Sequence, residues 1–214
     1  MDPSNCHYNP LATVAGPCEP CTDGPDLVIR QDVFQSSMYL ATMNVSQGDC
    51  FIEELCMNGY GERDIIRFTT HILNIGNLDY YIGSPSANPD QFDTDNCHGH
   101  THYKGYAAYR LFDTEGTEIP IGFKNGFCVM DLECSGGGTA QYGCGTMGIS
   151  SMCGDIYSSG LSCQWIDVTD VDTGLYTFVI TTNWDQDPDA LGHHELDYSN
   201  NWAQACIYIG KDGN

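Results

Sequence analysis

The sequence predicts an all-β fold, an antiparallel β-sandwich with long disulfide-stapled loops and little helix. Three observations predict it. Segments rich in Val, Ile, Thr, Tyr and Phe recur along the chain, Gly, Asn, Asp or Pro separates most of them, and one short stretch alone has helical character. Residues 1–24, punctuated by Pro3, Pro10, Pro17 and Pro20, read as an extended arm tied down by Cys6, Cys18 and Cys21, and residues 25–214 as one domain. The strand segments are DLVIRQDVF from Asp26, SSMYLATMNV from Ser36, DIIRFTTHILNIG from Asp64, YAAYRLFD from Tyr106, IPIGFK from Ile119, LYTFVITT from Leu175 and WAQACIYIG from Trp202. The helical stretch is CFIEELCMN, pinned at Cys50 and Cys56. Residues 135–160, with many Gly and Ser and two cysteines, read as a long irregular excursion held by disulfides instead of by a core.

Lys and Arg number 7 against 29 Asp and Glu, a formal net charge of -22. Phosphate backbones and anionic membrane surfaces are repelled by such a chain, which argues against nucleic acid as a partner. The acidity fits solubility in high salt or the steering of a cationic substrate such as an amine. Twelve cysteines in 214 residues point to an oxidising compartment, hence a secreted or extracellular protein. Cys18 and Cys21 form a lone CxxC with no second CxxC after it, which is poor zinc-site spacing. No stretch reaches the roughly 20 apolar residues of a membrane span, and MDPSNCHYNP has neither the basic start nor the apolar run of a secretory leader. Asn44 opens the glycosylation sequon NVS.

CHGHTH, residues 97–102, concentrates three of the chain's seven histidines at alternate positions. If residues 97–110 run as a strand, His98, His100 and His102 emerge from one face. The outer two are then about 13 Å apart at the backbone, so sharing one ion needs a bend, which Gly99 permits. Imidazole suits Cu, Zn, Ni and Fe alike, and three ligands leave an open coordination position, as catalysis requires. His193 and His194, adjacent in sequence, read as a plain loop pair.

In combination, PDLV, RFTTHILNIG, CHGHTHYKGYAAYRLFD, GFKNGFCVMDLEC, CGDIYSSGLSCQWIDVTDV and ELDYSNN resemble the catalytic domain of the lysyl oxidase family over roughly Pro25 to Gly210. The match looks closer to microbial members than to animal ones, whose Trp-rich lead-in is missing before Cys97. The resemblance implies copper-dependent oxidation of the ε-amine of peptidyl lysine, or of small primary amines, to an aldehyde by molecular oxygen, with release of ammonia and hydrogen peroxide. It implies His98, His100 and His102 as copper ligands, and a lysine tyrosylquinone cofactor made from Lys124 and Tyr157. It also implies a structural calcium site at Asp26, the Leu27 carbonyl, Glu195, Asp197, Asn200 and Asn201, an oxygen-rich set that suits a hard cation. The family pattern implies disulfides Cys50–Cys56, Cys97–Cys144, Cys128–Cys134 and Cys153–Cys163. Cys6, Cys18, Cys21 and Cys206 remain, with three possible pairings, and an N-terminal cysteine is expected to serve Cys206.

The chemistry asks for the same division of work. Amine oxidation moves two electrons, which zinc cannot accept, so a histidine site doing it needs copper plus an organic electron sink. A proton must leave the α-carbon, and Asp155, Asp167 and Asp170 are candidate bases by motif proximity. Lys124, one of three lysines with Lys104 and Lys211, must lose its proton to attack a ring, against a free pKa of about 10.4. The competing expectations are a non-catalytic structural subunit of an extracellular or virion assembly with a retained metal, and a copper-binding protein without turnover.

Overall fold

The computed structural model describes residues 22–94, 101–105, 107–123 and 127–210. In chain order the elements begin with β1 (Leu27–Ile29), α1 (Gln31–Ser37), β2 (Tyr39–Val45), β3 (Gly61–Arg67), β4 (Thr70–Asn74) and β5 (Tyr80–Gly83). After a 3-10 turn at Pro89–Gln91 come β6 (Phe92–Thr94), β7 (Thr101–Tyr103), β8 (Ala108–Phe112), β9 (Glu118–Ile119) and β10 (Glu133–Cys134). The chain closes with β11 (Met147–Ile149), β12 (Cys153–Tyr157), β13 (Trp165–Asp167), β14 (Gly174–Thr181) and β15 (Trp202–Ile209).

All pairings among these strands are antiparallel. Two four-stranded sheets, in orders β1-β4-β12-β10 and β15-β14-β8-β9, enclose the main core, and smaller sheets β13-β3-β2, β11-β5 and β6-β7 close its sides. Alternation does the work: Phe178 and Ile180 of β14, Ala203 and Ala205 of β15 and Leu111 of β8 are buried, while their neighbours Leu175, Trp202, Tyr208 and Arg110 face solvent. Leu27, Ile29 and Ile72 meet them from the opposing sheet. A satellite core of Val45, Cys56, Met57, Ile65, Cys163 and Trp165 lies under β13-β3-β2.

The all-β expectation holds, and several local expectations do not. DLVIRQDVF is a strand only through Ile29; Gln31–Ser37 is the helix. Its Phe34 packs edge-on against Phe68 and Phe178, centroids 5.8 and 5.1 Å away. Gln31 and Gln35, one helical turn apart, both donate to the Gln204 carbonyl, and the Gln204 amide donates to Gln31 Oε1, so glutamine side chains cover the free edge of β15. CFIEELCMN forms turns instead of a helix, because Leu55 sits in the left-handed region at φ 63° and Trp165 Nε1 donates to the Cys56 carbonyl at 3.1 Å. Residues 97–110 are not one strand: β7 stops at Tyr103 and β8 begins at Ala108. IPIGFK supplies only the end of β9 and a single bridge, Gly122 to Asp167. Residues 135–160 are disulfide-held as expected, yet they also carry the fully buried β11 and β12, which lies inside its sheet between β4 and β10.

The disulfides differ from the family-derived pairing throughout the described residues. Cys56 bonds Cys163, Cys128 bonds Cys144 and Cys134 bonds Cys153, so Cys50–Cys56, Cys97–Cys144, Cys128–Cys134 and Cys153–Cys163 are all corrected. Register is the reason. Cys134 lies directly opposite Cys153 across β10 and β12, while Cys56 and Cys163 share the satellite core around Trp165. Cys50 is also disulfide-bonded. Cys206 is a free, exposed thiol, not a staple for the arm; Cys6, Cys18, Cys21 and Cys97 lie outside the described residues.

Candidate functional site

Three distant segments meet at one end of the main core. β7 carries His102, 6% exposed, opposite Asp93 of β6. The next residue, Tyr103, is hydrogen-bonded to the buried phenol of Tyr80 and bridges to Phe127, whose carbonyl accepts from the Tyr103 amide at 2.9 Å. Phe127 in turn packs on Tyr157, ring centroids 4.2 Å apart. The Tyr157 hydroxyl donates to the Cys128 carbonyl at 2.8 Å and accepts from the Cys128 amide at 2.9 Å, so one backbone unit fixes the phenol at both lone pair and proton. Burial, then the neighbouring Asp155, pushes that phenol above the ordinary tyrosine range. His98, His100 and Lys124 lie outside the described residues, although Phe123 and Phe127 on either side of the Lys124 segment are placed.

The strand and loop around Tyr157 are anchored on every side. β12 pairs Tyr157 with Thr70 of β4. Beyond it, Arg67 stacks over Trp165 at 4.5 Å and donates to the Ser159 carbonyl at 2.9 Å, while the Ser159 amide donates to Thr69. Beneath, Thr70, Tyr109 and Gln164 form a buried polar cluster: the two hydroxyls lie 3.0 Å apart and Gln164 Nε2 donates to Thr70 at 2.9 Å.

The base candidates separate. Asp167 is fully buried and structural, accepting from Arg63 Nε and Nη2, the Asn58 amide and Thr169. Burial alone would raise its pKa, but these donors outweigh it and hold the carboxyl below the usual range. Exposed Asp170 pairs with the same Arg63 at 2.8 Å. Asp155 differs: it is 0% exposed, shares the core face of β12 with Tyr157, and has no side-chain donor among the described residues, only the backbone amides of Met130 and Ile156. Burial pushes its carboxyl well up, with weaker opposition from the Met130 and Ile156 amides.

The oxygen-rich set comes together although its members are some 170 residues apart. Glu195 Oε2 accepts from the Leu27 amide at 2.7 Å, and Oε1 from Asn183 and Asn201 at 2.6 and 2.9 Å. Asn200 donates to Asp26 at 2.8 Å. Asp197 faces Asp26 closely enough for repulsion to add to burial in raising the Asp26 carboxyl, and Glu195 is raised chiefly by burial. The Oδ1 atoms of Asn200 and Asn201 are buried without a hydrogen-bond donor among the described residues, an arrangement that suits a cation. Asn183, which no motif pointed to, belongs to this cluster; its position in the acidic run NWDQDPD just after β14 is the sequence signal.

Two other groups are not sites. Glu54, Cys56 and Cys163 bring ligand atoms within 4.8 Å, but both sulfurs are in a disulfide and offer no thiolate. His193 is a loop residue against Asp189 at 3.1 Å, and His194 meets Tyr198 at 3.2 Å.

A family model described as lysyl oxidase matches residues 25–213. Lysyl oxidase homolog 4 of Homo sapiens is 32% identical over 225 aligned residues, taking in 97% of this chain and 28% of that protein. Lysyl oxidase homolog 3B of Danio rerio is 32% identical over 86% of this chain and 24% of its own length, and lysyl oxidase homolog 2 of Mus musculus 33% over 83% and 23%. The chain thus spans roughly a quarter of the length of these relatives. A CARDB domain from Pyrococcus furiosus covers 95% of this chain and 98% of its own, but with a TM-score of 0.34 and 11% identity it bears on neither fold nor function.

Proposed function

This chain belongs to the lysyl oxidase family, and we propose that it is a copper- and quinone-dependent amine oxidase acting on peptidyl lysine or small primary amines. The observation that carries this reading is the convergence of the His102 strand, the backbone that follows Lys124 and the Tyr157 phenol on Phe127 and Cys128. His98, His100 and His102 would hold copper: neutral imidazoles suit it, and three of them leave positions open. Bound there, with lysine tyrosylquinone made from Lys124 and Tyr157, copper supplies the electron transfer to molecular oxygen that the side chains cannot perform.

The protein's own residues position and shelter. Cys128 fixes the Tyr157 hydroxyl, Phe127 covers one side of its ring, and Arg67 and Thr69 hold the loop behind it. The net charge of -22 draws cationic amines toward the molecule. Asp26, the Leu27 carbonyl, Glu195, Asp197, Asn200 and Asn201 would hold calcium, clamping the start of β1 to the approach to β15 as a structural element. The unpartnered Asn200 and Asn201 oxygens support this, and a cation would displace some of the amide donors now on Glu195. The disulfides support a secreted protein and the exposure of Asn44 supports use of its sequon, and no helix among the described residues is long and apolar enough to cross a membrane.

The test is copper loading followed by n-butylamine. Hydrogen peroxide release that a carbonyl-trapping hydrazine blocks, together with a Lys124–Tyr157 cross-linked peptide in the mass map, is the expected result. Two ordinary linear peptides and no peroxide from copper-loaded protein refute the reading and leave the metal-binding or structural alternatives.

A further inference from the structure

We propose that Cys144 is a positioning residue for the Tyr157 phenol: through its bond to Cys128, an exposed hairpin turn fixes the backbone clamp that orients the hydroxyl for its conversion into the cofactor. The cofactor role rests on the amine oxidase reading, while the clamp stands on geometry alone.

Burial keeps the Tyr157 phenol protonated, so its hydroxyl needs an acceptor as well as a donor. One residue supplies both: the Cys128 amide donates to the hydroxyl at 2.9 Å and the Cys128 carbonyl accepts from it at 2.8 Å. Such a clamp is only as accurate as the backbone that carries it. On one side of Cys128, the Phe127 carbonyl accepts from the Tyr103 amide at 2.9 Å. On the other, the Val129 carbonyl accepts from the Gly148 amide at 3.3 Å, and the Asp131 carboxylate takes the amides of Gln141, Tyr142 and Ser150 at 2.8, 3.1 and 2.8 Å. Both neighbours are therefore tied down by hydrogen bonds. Cys128 has its own amide and carbonyl turned to the phenol, so its side chain is what secures it, and that side chain ends in the bond to Cys144.

The far end of the bond is itself rooted. Gly143 and Thr146 exchange two hydrogen bonds of 3.1 Å, which leaves Cys144 and Gly145 as the exposed two-residue tip of a hairpin. The arm after the tip becomes β11, whose Met147 and Ile149 lie in the main core. Cys144 thus transmits the position of a core-anchored hairpin to the clamp across a sequence separation of 16. The other described bridges have different work. Cys134–Cys153 joins strands already paired at that register, and Cys56–Cys163 lies in the satellite core. Among the described disulfides, the one at Cys144 alone ends on a residue that hydrogen-bonds the Tyr157 hydroxyl.

The experiment compares the full chain with its Cys128→Ser/Cys144→Ser double variant, which removes the bond without leaving a thiol to exchange. Should that variant not fold, wild type opened at this bond by limited phosphine reduction and alkylated takes its place, as the fraction whose mass map retains Cys56–Cys163 and Cys134–Cys153. Nitration by tetranitromethane is followed by peptide mass at Tyr157, at exposed Tyr208 as the open control, and at Tyr109, buried and hydrogen-bonded to Thr70, as the closed control. Copper-loaded samples are followed in parallel for quinone, by the absorbance of its phenylhydrazine adduct. The expected result is Tyr157 nitration faster by about 10-fold or more, as two hydrogen bonds cease to protect the hydroxyl, with Tyr109 still protected. Quinone formation should slow by about 100-fold, the cost of misplacing a reacting group by about 1 Å. Tyr157 as protected as in the wild type, Tyr157 and Tyr109 opening together, or quinone forming at an undiminished rate overturns the proposal. Wild type that forms no quinone with copper refutes the oxidase reading and the cofactor role with it. Nitration needs no copper, so it shows separately whether the clamp has failed.

Discussion

Replacing Tyr157 with phenylalanine removes one oxygen, and the structure sets how much that costs. The hydroxyl makes two hydrogen bonds to Cys128, one as donor and one as acceptor. At about 0.5–1.5 kcal/mol net for each, the loss is about 1–3 kcal/mol, with the Cys128 amide and carbonyl left unpaired beside the Phe127 ring. For a chain of this size that lowers the melting temperature by about 2–12 °C. The ring stays, so Phe127 and the β12–β4 pairing should persist, and the variant should fold with the same disulfides. Without the phenol no quinone can form, so peroxide release from n-butylamine and the cross-linked peptide should both fall to background. The assays are differential scanning calorimetry under non-reducing conditions and peroxide-coupled absorbance on copper-loaded protein. Peroxide release at an undiminished rate would refute the role given to Tyr157. A melting temperature equal to that of the wild type would show that the Cys128 contacts do not restrain the phenol.

Arg63→Ala strips its partner from the buried Asp167 carboxylate and should destabilise by about 3–5 kcal/mol at pH 7, read from denaturant unfolding. Because the folded pKa of Asp167 is depressed, this stability is present above the unfolded value and is lost as the pH falls through the folded one. The gap between variant and wild type should therefore narrow below about pH 4. Calcium at 100 times its dissociation constant should stabilise by about 2.7 kcal/mol, an effect that Glu195→Gln should weaken; equal melting curves in calcium and in EGTA would count against the cluster as a cation site. Gly76→Ala places a methyl against the backbone at Gly24, Pro25 and Asp26. Overpacking there should destabilise by about 1–3 kcal/mol, measured by calorimetry, and weaken any calcium stabilisation because Asp26 moves.

Fold class was legible because strand alternation is local: each buried residue of β14 is announced by its neighbours two positions away. The exception at α1 is local too, since Phe34 and the Gln31/Gln35 spacing fit a helix better than a strand, but a run opening on LVI masks the change of period. The histidine, lysine and tyrosine motifs could be named from sequence because their residue types are chemically distinctive. Their disulfide frame could not. Cys134 finds Cys153 through the register of β10 on β12, and Cys56 finds Cys163 through the burial of Trp165, and neither relation leaves a mark in spacing along the chain.

Composition and motif thus determined an acidic, cysteine-rich β protein carrying lysyl oxidase signatures, because charge count, side-chain type and period-2 patterning are properties of the chain before it folds. Only the tertiary structure decided that Asp167 is locked to Arg63 while Asp155 is buried beside Tyr157 with backbone amides as its donors, and that Asn183 joins Glu195. Whether a buried carboxylate is held by charged side chains or by backbone amides depends on donors far away in sequence, and strand pairing brings those donors within reach.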